Sequence, residues 1–523
     1  MDFRTPHRLP LLFLTTAILL AVATGCASTR INPEDSSFGT IKNDPVMLRI
    51  FLADMPKGAD LHNHLSGMIY AEDYIRLAAA KGMCFDPEKE YAVTAGPCKE
   101  PSVPAQKALT DAGLWNSVIN AYSTRQDRRD SFMWGHDEFF ATFGRFGGVS
   151  GNKGAMLAEA ARMAEKDNVM YVELMLSVYP GDIKSMAGTA AAALGKGNLQ
   201  DAYGQLESAG LFDEAHLREA MGRLSAWEKT RDNILKGGTG SDVAFHYINQ
   251  VVRVLPPEFV FAQIAFSFAL ASKDPRVVAL NLVAPEDNPV SMSDYELHME
   301  MIDFLYRLYR NDPLKRKTAD NVHIALHAGE LTLGLVEPEG LSNHIRLAVE
   351  KGHAQRIGHG VDLPYEERPY ELMQTMRDRG IAVEILLTSN DTILRVSGDR
   401  HPLNLYRQRG VPFVLATDDM GVARADMTNE FLRAVLEQGL GYEDLKEAVR
   451  NSLEYSFLPG KSLWADYARK TPSPGCDIGD SARSGNACAP MLESNRKAAM
   501  QWELERRLDA FEKRWSSRAP VIE

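Results

Sequence analysis

Two histidines separated by one residue, His62 and His64, end an apolar stretch that begins near residue 59. Side chains alternate between the two faces of a β-strand, so both imidazoles would point to the same side. Neutral imidazoles are preferred ligands of Zn²⁺, and a pair on one face supplies half of a tetrahedral site. Because this spacing is common, it predicts a metal site only if further ligands converge on the same place.

Three other polar motifs also follow short apolar runs. His327 and Glu330 come after one run, His359 closes a second between two glycines, and Asp418 and Asp419 follow a third. Taken singly, each motif has a structural explanation, such as a histidine bonded to backbone or an aspartate that caps a helix. Four histidines and three acids at the ends of four strands instead indicate one catalytic metal site, if the fold gathers those ends.

The fold that gathers strand ends is indicated by apolar runs that alternate with amphipathic helical stretches. Eight runs are candidate strands: Ala59–His62, Val169–Met175, Val243–Val252, Val277–Val283, Val322–Leu326, Ala354–Ile357, Ala382–Leu387 and Phe413–Ala416. The helical patterns between them include Ala155–Glu165, Leu297–Arg310, Ser342–Lys351, Pro369–Arg379 and Asn429–Glu437. Runs that are apolar on both faces are typical of a parallel sheet covered by helices. The sequence therefore predicts an α/β protein with a (β/α)8 TIM barrel, whose catalytic residues lie at the carboxyl ends of the strands.

The predicted barrel domain, residues 51–460, carries two insertions. Residues 83–148 follow the first strand and are rich in aromatic side chains, and residues 187–240 have helical periodicity and separate the second strand from the third. Insertions after barrel strands shape the entrance of the pocket. The aromatic residues between 115 and 143 are candidates for the apolar side of that pocket, with ordinary helix packing as the simpler explanation.

The beginning of the chain has the features of a bacterial export signal. Arg4 and Arg8 precede the uncharged stretch Leu9–Ala23, and small residues lead to Cys26. This pattern is typical of a secretory signal, and small residues directly before a cysteine resemble a lipobox. Residues 1–25 are therefore predicted to be a lipoprotein signal peptide and Cys26 to carry the lipid. A plain signal peptide or an N-terminal anchor is the alternative.

The other segments outside the barrel are predicted from their composition. Residues 26–50 begin as a polar, aperiodic stretch and would form a tether between the lipid and the barrel. Residues 461–523 are predicted to be a loop and a C-terminal helix, which is exposed or packed at an edge over Met491–Trp515. These features predict an exported protein that is bound to the cell envelope through its lipid alone, on the periplasmic side or at the cell surface.

Four cysteines remain when Cys26 is set apart, and they fall into two local pairs: Cys84 with Cys98, and Cys476 with Cys488. Four cysteines allow three pairings, and the local pairing closes short loops, as suits an oxidising compartment. Free thiols or a single zinc knuckle are the alternatives, although the sequence has no Cys-x-x-Cys spacing.

Composition narrows the class of protein further. The chain of 523 residues has 58 Lys and Arg against 70 Asp and Glu, a net charge of −12. Nucleic-acid binding is not expected, because phosphate recognition needs a basic surface. Hydrophobic residues make up 45% and charged residues 24%, which are values of an ordinary globular protein.

Four strings, MPKGADLHNHLSG, HAGE, RIGHG and ATDD, occur in the order typical of one family. From Phe51 to Ser456 the sequence resembles the adenosine deaminase family of the metal-dependent amidohydrolases. The export signal and the cysteine loop are also similar to the family's secreted, growth-factor-like branch. The resemblance implies a zinc-dependent hydrolase of purine metabolism that deaminates adenosine or deoxyadenosine and releases ammonia, with a small purine nucleoside as its partner.

The resemblance also implies which residues hold the metal. His62, His64, His327 and Asp418 would bind one Zn²⁺ per chain, and an open coordination position would lower the pKa of a bound water toward about 7. Binuclear relatives bridge two metals with a carbamylated lysine after the fourth strand. The run Val277–Glu286 has no lysine, which favours one metal.

The remaining roles that the resemblance implies concern the purine. Glu330 would protonate N1 while the activated water attacks C6, so its carboxyl must be protonated, and burial would raise its pKa as required. His359 would accept the proton of the water or stabilise the developing negative charge. Asp419 would bond N7 and orient the ring.

Two departures from the family pattern concern the predicted substrate-binding residues. Ser66 stands where the family commonly has an aspartate that holds the ribose, and a neutral hydroxyl cannot accept the same charge-assisted bond. Ala284 stands where the family has a glycine, and its N–H would still reach the purine provided that its φ is not positive. The alternatives are therefore another 6-aminopurine (adenine, AMP or an N6-modified purine) and nucleoside binding without catalysis.

Overall fold

The computed structural model describes residues 38–126, 128–476 and 485–516. Eight parallel strands, numbered here in chain order as β1 to β8, form one sheet in sequential order. They are β1 Gly58–His64, β2 Val169–Leu176, β3 Ala244–Val252, β4 Val277–Val283, β5 His323–Ala328, β6 Arg356–His359, β7 Ala382–Ile385 and β8 Phe413–Leu415. Asn63 forms a parallel bridge with Asp418, and Asp418 N–H donates to His62 O at 2.9 Å, so the first strand meets the last and closes the barrel.

The strands of the barrel are buried on both faces because helices cover the outside of the barrel. The strands β1, β2, β4, β6 and β7 are buried along their whole length. The helices after β3 are Pro257–Ala271, Pro289–Asn311, His344–Glu350, Pro369–Arg379, Leu387–Leu394, Leu403–Gln408, Met420–Ala423, Met427–Leu436 and Tyr442–Glu454. The predicted (β/α)8 barrel is confirmed, and its strands differ from the predicted ranges by a few residues at their ends.

The first insertion combines a small sheet with helices. Its three antiparallel strands are Cys84–Asp86, Ala92–Thr94 and Val103–Pro104. The helices between β1 and β2 are Leu65–Met68, Ala71–Ala80, Ala105–Ala108, Ala112–Ala121, Phe132–Phe146 and Lys153–Lys166. We call Phe132–Phe146 the cover helix, because its side chains reach the pocket described below.

The second insertion is helical, as its periodicity predicts. The helices between β2 and β3 are Ile183–Ala187, Ala191–Leu194, Leu199–Ser208 and Glu214–Leu235. Tyr203 and Leu206 of one of them are buried in the main hydrophobic core. The insertion is therefore packed against the barrel and is part of the same folded body.

The segments before and after the barrel are folded against it. Residues 38–41 are helical, and Phe38 packs on Phe51 and Tyr442 with ring centroids 5.4 and 5.8 Å apart. Folded structure therefore includes Phe38 and the helix Pro45–Asp54, which overlap the predicted tether 26–50. The part of the tether from Phe38 onward is folded because its apolar residues pack on the barrel.

The C-terminal region contains two helices, Gly485–Ser494 and Arg496–Ser516, after a two-stranded sheet of Trp464–Asp466 and Thr471–Pro472. The last helix buries Leu504, Leu508 and Phe511 in the main core, so it is packed more deeply than its charge pairs predict. Within the described residues, no helix combines the length and the apolar character needed to cross a bilayer.

Candidate active site

The predicted metal ligands converge at the carboxyl ends of the strands. His62 and His64 end β1, His327 lies in β5, and Asp418 follows β8. The Nε2 atom of His327 is 3.1 Å from that of His62 and 3.3 Å from that of His64, and Asp418 Oδ1 is 3.4 Å from His64 Nε2. All four ligand atoms lie within 4.8 Å of one another, and all four residues are buried. Ser389 Oγ donates to the second carboxylate oxygen of Asp418 at 2.6 Å and fixes its direction.

A buried carboxylate orients the first of these histidines. His62 Nδ1 lies 2.5 Å from Glu384 Oε2, and Arg356 Nε donates to the other oxygen of Glu384 at 2.5 Å. All three side chains are fully buried. Burial alone would raise the pKa of Glu384, but the charges of Arg356 and His62 and their hydrogen bonds together lower the pKa. A ligating histidine that donates its other N–H to a carboxylate has a fixed ring and a more basic ligand nitrogen.

Side-chain amides hold the other two histidines. His327 Nδ1 donates to Asn281 Oδ1 at 2.8 Å, and His64 Nδ1 lies 2.6 Å from the Gln250 amide. Burial lowers the pKa of His64 to about 4, and it lowers the pKa of His327 well below the usual value. Both rings are therefore neutral at pH 7. Metal binding through His64 Nε2 puts the ring proton on Nδ1, so the Gln250 amide then presents its oxygen.

The ligand set fits a divalent metal ion. Three imidazole nitrogens and one carboxylate oxygen are donors that Zn²⁺ prefers, and the four buried ligand atoms lie within 4.8 Å of one another. In the neutral rings of His62 and His327, Nδ1–H is directed at Glu384 and Asn281, which leaves the two Nε2 lone pairs facing one another and open to a metal ion.

Three further predicted residues lie beside the cluster. Burial, and then the charge of Asp418, raise the pKa values of Glu330 and Asp419 well above the usual range, which favours the protonated form of both carboxyls. His359 Nε2 is 3.6 Å from Glu330 Oε1, and Asn390 Nδ2 donates to His359 Nδ1 at 2.8 Å. Burial lowers the pKa of His359 well below its usual value. The site therefore combines neutral acids with a neutral imidazole.

Two glycines allow this close packing. A side chain at Gly67 would collide with the Asp419 carboxyl, and a side chain at Gly358 would collide with the His62 ring. Each glycine belongs to one of the motifs that the sequence singles out, so these motifs encode backbone that approaches functional side chains.

A cavity of about 450 Å³ opens onto the cluster. His64, His327, Glu330, Asp418 and Asp419 form its polar end. Its apolar wall comes from Phe139, Phe140 and Phe143 of the cover helix and from Val252, Val283 and Pro285 at the ends of β3 and β4. These three phenylalanines line the cavity and also pack in or against the hydrophobic core, because the cover helix crosses the pocket, whereas Trp115, Phe132 and Trp134 are absent from the cavity wall.

The structure places both predicted substrate-binding residues, Ser66 and Ala284, on the cavity wall. Ala284 has a φ of 90°. The condition under which its N–H would reach the purine, a φ that is not positive, is therefore not met. Arg253 Nε donates to Ala284 O at 2.9 Å and holds the backbone in the conformation that a glycine would adopt more easily. The side chain of Ala284 narrows this side of the cavity.

The remaining predicted residues are the cysteines. Disulfides join Cys84 to Cys98 and Cys476 to Cys488. The predicted signal peptide, residues 1–25, and the predicted lipidation site Cys26 lie outside the described residues.

Sequence reasoning missed the residues that hold the ligands and His359: Gln250, Asn281, Glu384 and Ser389 contact the ligands, and Asn390 contacts His359. Glu384 had a detectable signal, since a single acid inside the apolar run Ala382–Leu387 needs a buried partner. The amides had none, because an amide near a strand end serves structural roles equally well.

Sequence comparison adds an independent observation. The adenosine deaminase family model matches residues 243–464, which include His327, Glu330, His359, Asp418 and Asp419. The adenosine deaminases of two Escherichia coli strains, SMS-3-5 / SECEC and O139:H28 (E24377A / ETEC), are each 37% identical to the chain over 139 residues. Residues 243–464 of the chain therefore match the adenosine deaminase family. Each alignment covers 26% of this chain and 38% of the relative, so the chain spans about two fifths of the length of the curated relatives that it matches.

The solved structures that are similar to this chain have low sequence identity to it. An N6-mAMP deaminase from Arabidopsis is 19% identical, with coverage of 80% of this chain and 97% of that chain and a TM-score of 0.47. An adenine deaminase from Arthrobacter aurescens is 16% identical, with coverage of 84% and 100% and a TM-score of 0.46.

Proposed function

We propose that the protein is a zinc-dependent hydrolase that removes the 6-amino group of adenosine or deoxyadenosine and releases ammonia. The observation that carries this proposal is the gathering of His62, His64, His327 and Asp418 beside a protonated Glu330 at one end of a cavity. The match to the family and the adenosine deaminase relatives support the same reaction. A Zn²⁺ held by these four ligands would supply a water that is nucleophilic at neutral pH.

The two protonated acids have complementary roles toward the purine. Glu330 can donate its proton to N1, which makes C6 electrophilic when water adds. N7 of a purine is a hydrogen-bond acceptor, so it needs a donor, and Asp419 can donate only when protonated. The raised pKa of Asp419 matches that requirement. Together these two groups fix the ring on both sides of the amino group.

His359 fits one of its two predicted roles better than the other. Because Asn390 Nδ2 donates to His359 Nδ1, the neutral ring carries its proton on Nε2. An Nε2–H group can donate a hydrogen bond to the attacking oxygen as negative charge develops, whereas it cannot accept a proton there. We therefore assign His359 to charge stabilisation.

The cavity favours an uncharged substrate. Among the described residues, no lysine or arginine lines it, and its far wall is apolar. A nucleotide phosphate buried there would lack the cationic donors that normally bind it. We therefore rank adenosine and deoxyadenosine above AMP.

Two observations favour a second candidate, a different uncharged 6-aminopurine such as adenine or an N6-modified purine. Ser66 lacks the charge that would hold a ribose, and the methyl group of Ala284 narrows the cavity. Either change acts on the choice of substrate and leaves the metal ligands and the proton donor in place.

A substrate panel tests the proposal. Purified, zinc-loaded protein would be assayed for ammonia release with adenosine, deoxyadenosine, adenine, N6-methyladenosine and AMP. We expect the highest kcat/KM for adenosine or deoxyadenosine and the lowest for AMP. Highest activity with adenine or an N6-methyl purine would support the second candidate, and nucleoside binding without ammonia release would support a non-catalytic protein.

We also propose that the protein is exported and lipid-anchored to the cell envelope. The support is the pattern of residues 1–26 and the two disulfides, which persist in oxidising compartments. A Cys26→Ser variant should appear in the soluble fraction, whereas the wild-type protein should fractionate with membranes.

A further inference from the structure

One buried carboxylate joins the loop after β4 to the loop that carries the proton donor. Glu286, which is 1% exposed, accepts hydrogen bonds from the backbone N–H groups of Gly329 at 3.1 Å and Glu330 at 2.9 Å. Its two oxygens are divided between them, with Oε1 toward Gly329 and Oε2 toward Glu330. The two donors are consecutive backbone N–H groups, and the second belongs to Glu330 itself.

The Glu286 carboxylate is itself held rigidly. His344 Nδ1 lies 2.6 Å from Oε1, and Arg253 Nη1 lies 3.8 Å from Oε2. The His344 ring stacks on Tyr295 with centroids 3.7 Å apart, and the Tyr295 hydroxyl donates to His344 O at 2.9 Å. Burial alone would raise the pKa of Glu286, but Arg253 and His344 outweigh it and lower the pKa to about 2. The carboxylate is therefore ionised and can accept from both N–H groups at once.

The loop needs such an acceptor because of its backbone. Gly329 has a φ of 77°, and its carbonyl accepts from Val361 N–H at 2.8 Å and Asp362 N–H at 3.2 Å. The N–H groups of Gly329 and Glu330 point the other way, into the buried layer around Glu286. Without Glu286 they would be buried donors without partners. Both sides of the turn are thus fixed, and Glu330 has little freedom to leave the cavity.

We propose that Glu286 is a positioning residue for the proton donor, which holds the Gly329–Glu330 turn so that the Glu330 carboxyl faces N1 of the purine. Glu286 does not touch the substrate, because it is absent from the cavity wall. The role rests on the proposed function, since it needs Glu330 to act as the proton donor.

The test compares a Glu286→Gln variant with a matched control. Glutamine has one acceptor oxygen, and its amide group would present N–H to a backbone N–H, so the turn loses at least one hydrogen bond. The control is Asp167→Asn, a second buried carboxylate, which accepts from Met427 N–H at 3.0 Å. Asp167 lies before β2, at the opposite end of the barrel. A Glu286→Asp variant keeps the charge beside Arg253 but has a shorter side chain. It therefore separates loss of the hydrogen bonds to the turn from a folding defect caused by loss of the charge.

We expect kcat of Glu286→Gln to fall about 10- to 100-fold with KM changed less than about threefold, because displacement of a catalytic group by about 1 Å costs about that much. Zinc content should stay at one ion per chain. Amide hydrogen exchange at Gly329 and Glu330 should accelerate in both Glu286 variants, while Asp167→Asn should keep kcat and the exchange rates of this turn.

Two results would overturn the inference: a kcat for Glu286→Gln that matches that of Asp167→Asn, or unchanged exchange at Gly329 and Glu330. The proposed function fails separately, if the wild-type protein with zinc releases no ammonia from any aminopurine. The exchange measurement needs no activity, so it would still decide whether Glu286 holds the turn.

Discussion

Two buried glutamates, one in β7 and one in the loop after β5, have pKa values shifted in opposite directions. Glu384 lies between Arg356 and His62, and the charges and hydrogen bonds of both keep its pKa low despite burial. Around Glu330, burial together with the Asp418 charge raises the pKa of the carboxyl well above the usual range. The different surroundings therefore give the two acids different proposed roles. Glu384 would orient a metal ligand as a carboxylate, and Glu330 would act as a proton donor.

The largest expected effect comes from the protonated member of this pair. Glu330→Gln should reduce kcat/KM by about 10²- to 10⁴-fold, which is the usual contribution of a general acid. The amide is isosteric with the neutral carboxyl but cannot release a proton, so zinc content and melting temperature should match the wild-type values. Steady-state kinetics and metal analysis check this. Activity within tenfold of wild type would show that another group protonates N1.

Substitution of Glu384 should affect zinc affinity more than the deamination step. Glu384→Gln weakens the acceptor of His62 Nδ1–H, so we expect zinc affinity to fall about 10- to 100-fold, measured by competition with a chelator. Glu173→Gln is the matched control, since Glu173 Oε2 also lies 2.7 Å from Arg356 but does not contact His62. The control should lose stability and keep zinc affinity. Equal zinc loss in both variants would contradict the proposed role of Glu384.

A smaller effect on kcat/KM is expected at Asp419, because a neutral amide can replace its protonated carboxyl as a hydrogen-bond donor. Asp419→Asn keeps an N–H that can donate to N7, so kcat/KM should fall by no more than about tenfold, the value of one hydrogen bond. Asp419→Ala removes the donor and should cost more. If both variants lose activity equally, Asp419 acts through its charge and not as a donor to the ring.

The last expected effect is on stability and not on activity, and it concerns another buried glutamate, Glu430. Burial raises its pKa to about 7, despite hydrogen bonds from Thr388 and the charge of Arg433. A raised folded-state pKa gives stability that is complete below about pH 4.5 and is lost as the pH rises to about 7. Glu430→Gln should remove this slope, which is worth at most about 3 kcal/mol in the free energy of unfolding. Denaturant titrations at pH 4.5 and 7.5 check it, and an unchanged slope would contradict the assignment.

The sequence predicts the barrel well because its strands are short, apolar on both faces and separated by clear helical patterns. It also predicts the metal cluster, since a barrel brings the ends of β1, β5 and β8 together. It does not predict the supporting residues. Gln250, Asn281 and Glu286 have their roles only through contacts with other strands, which local patterns do not encode.

Other differences have similar physical reasons. The three phenylalanines of the cover helix look like ordinary amphipathic packing, and only the path of the insertion over the barrel brings them to the cavity. The positive φ of Ala284 contradicts the local preference of alanine and occurs beside a hydrogen bond from Arg253, 31 residues earlier in the sequence.

The central claim is that one metal ion, held by the three histidines and Asp418, is required for deamination. The most direct test is to titrate metal-free protein with Zn²⁺ and to follow ammonia release from adenosine at each step. We predict that activity is absent without metal, rises in proportion to added zinc and reaches a plateau at one ion per chain, whereas a His327→Ala variant stays inactive. Full activity of the metal-free protein, or none at one bound zinc per chain, would contradict the claim.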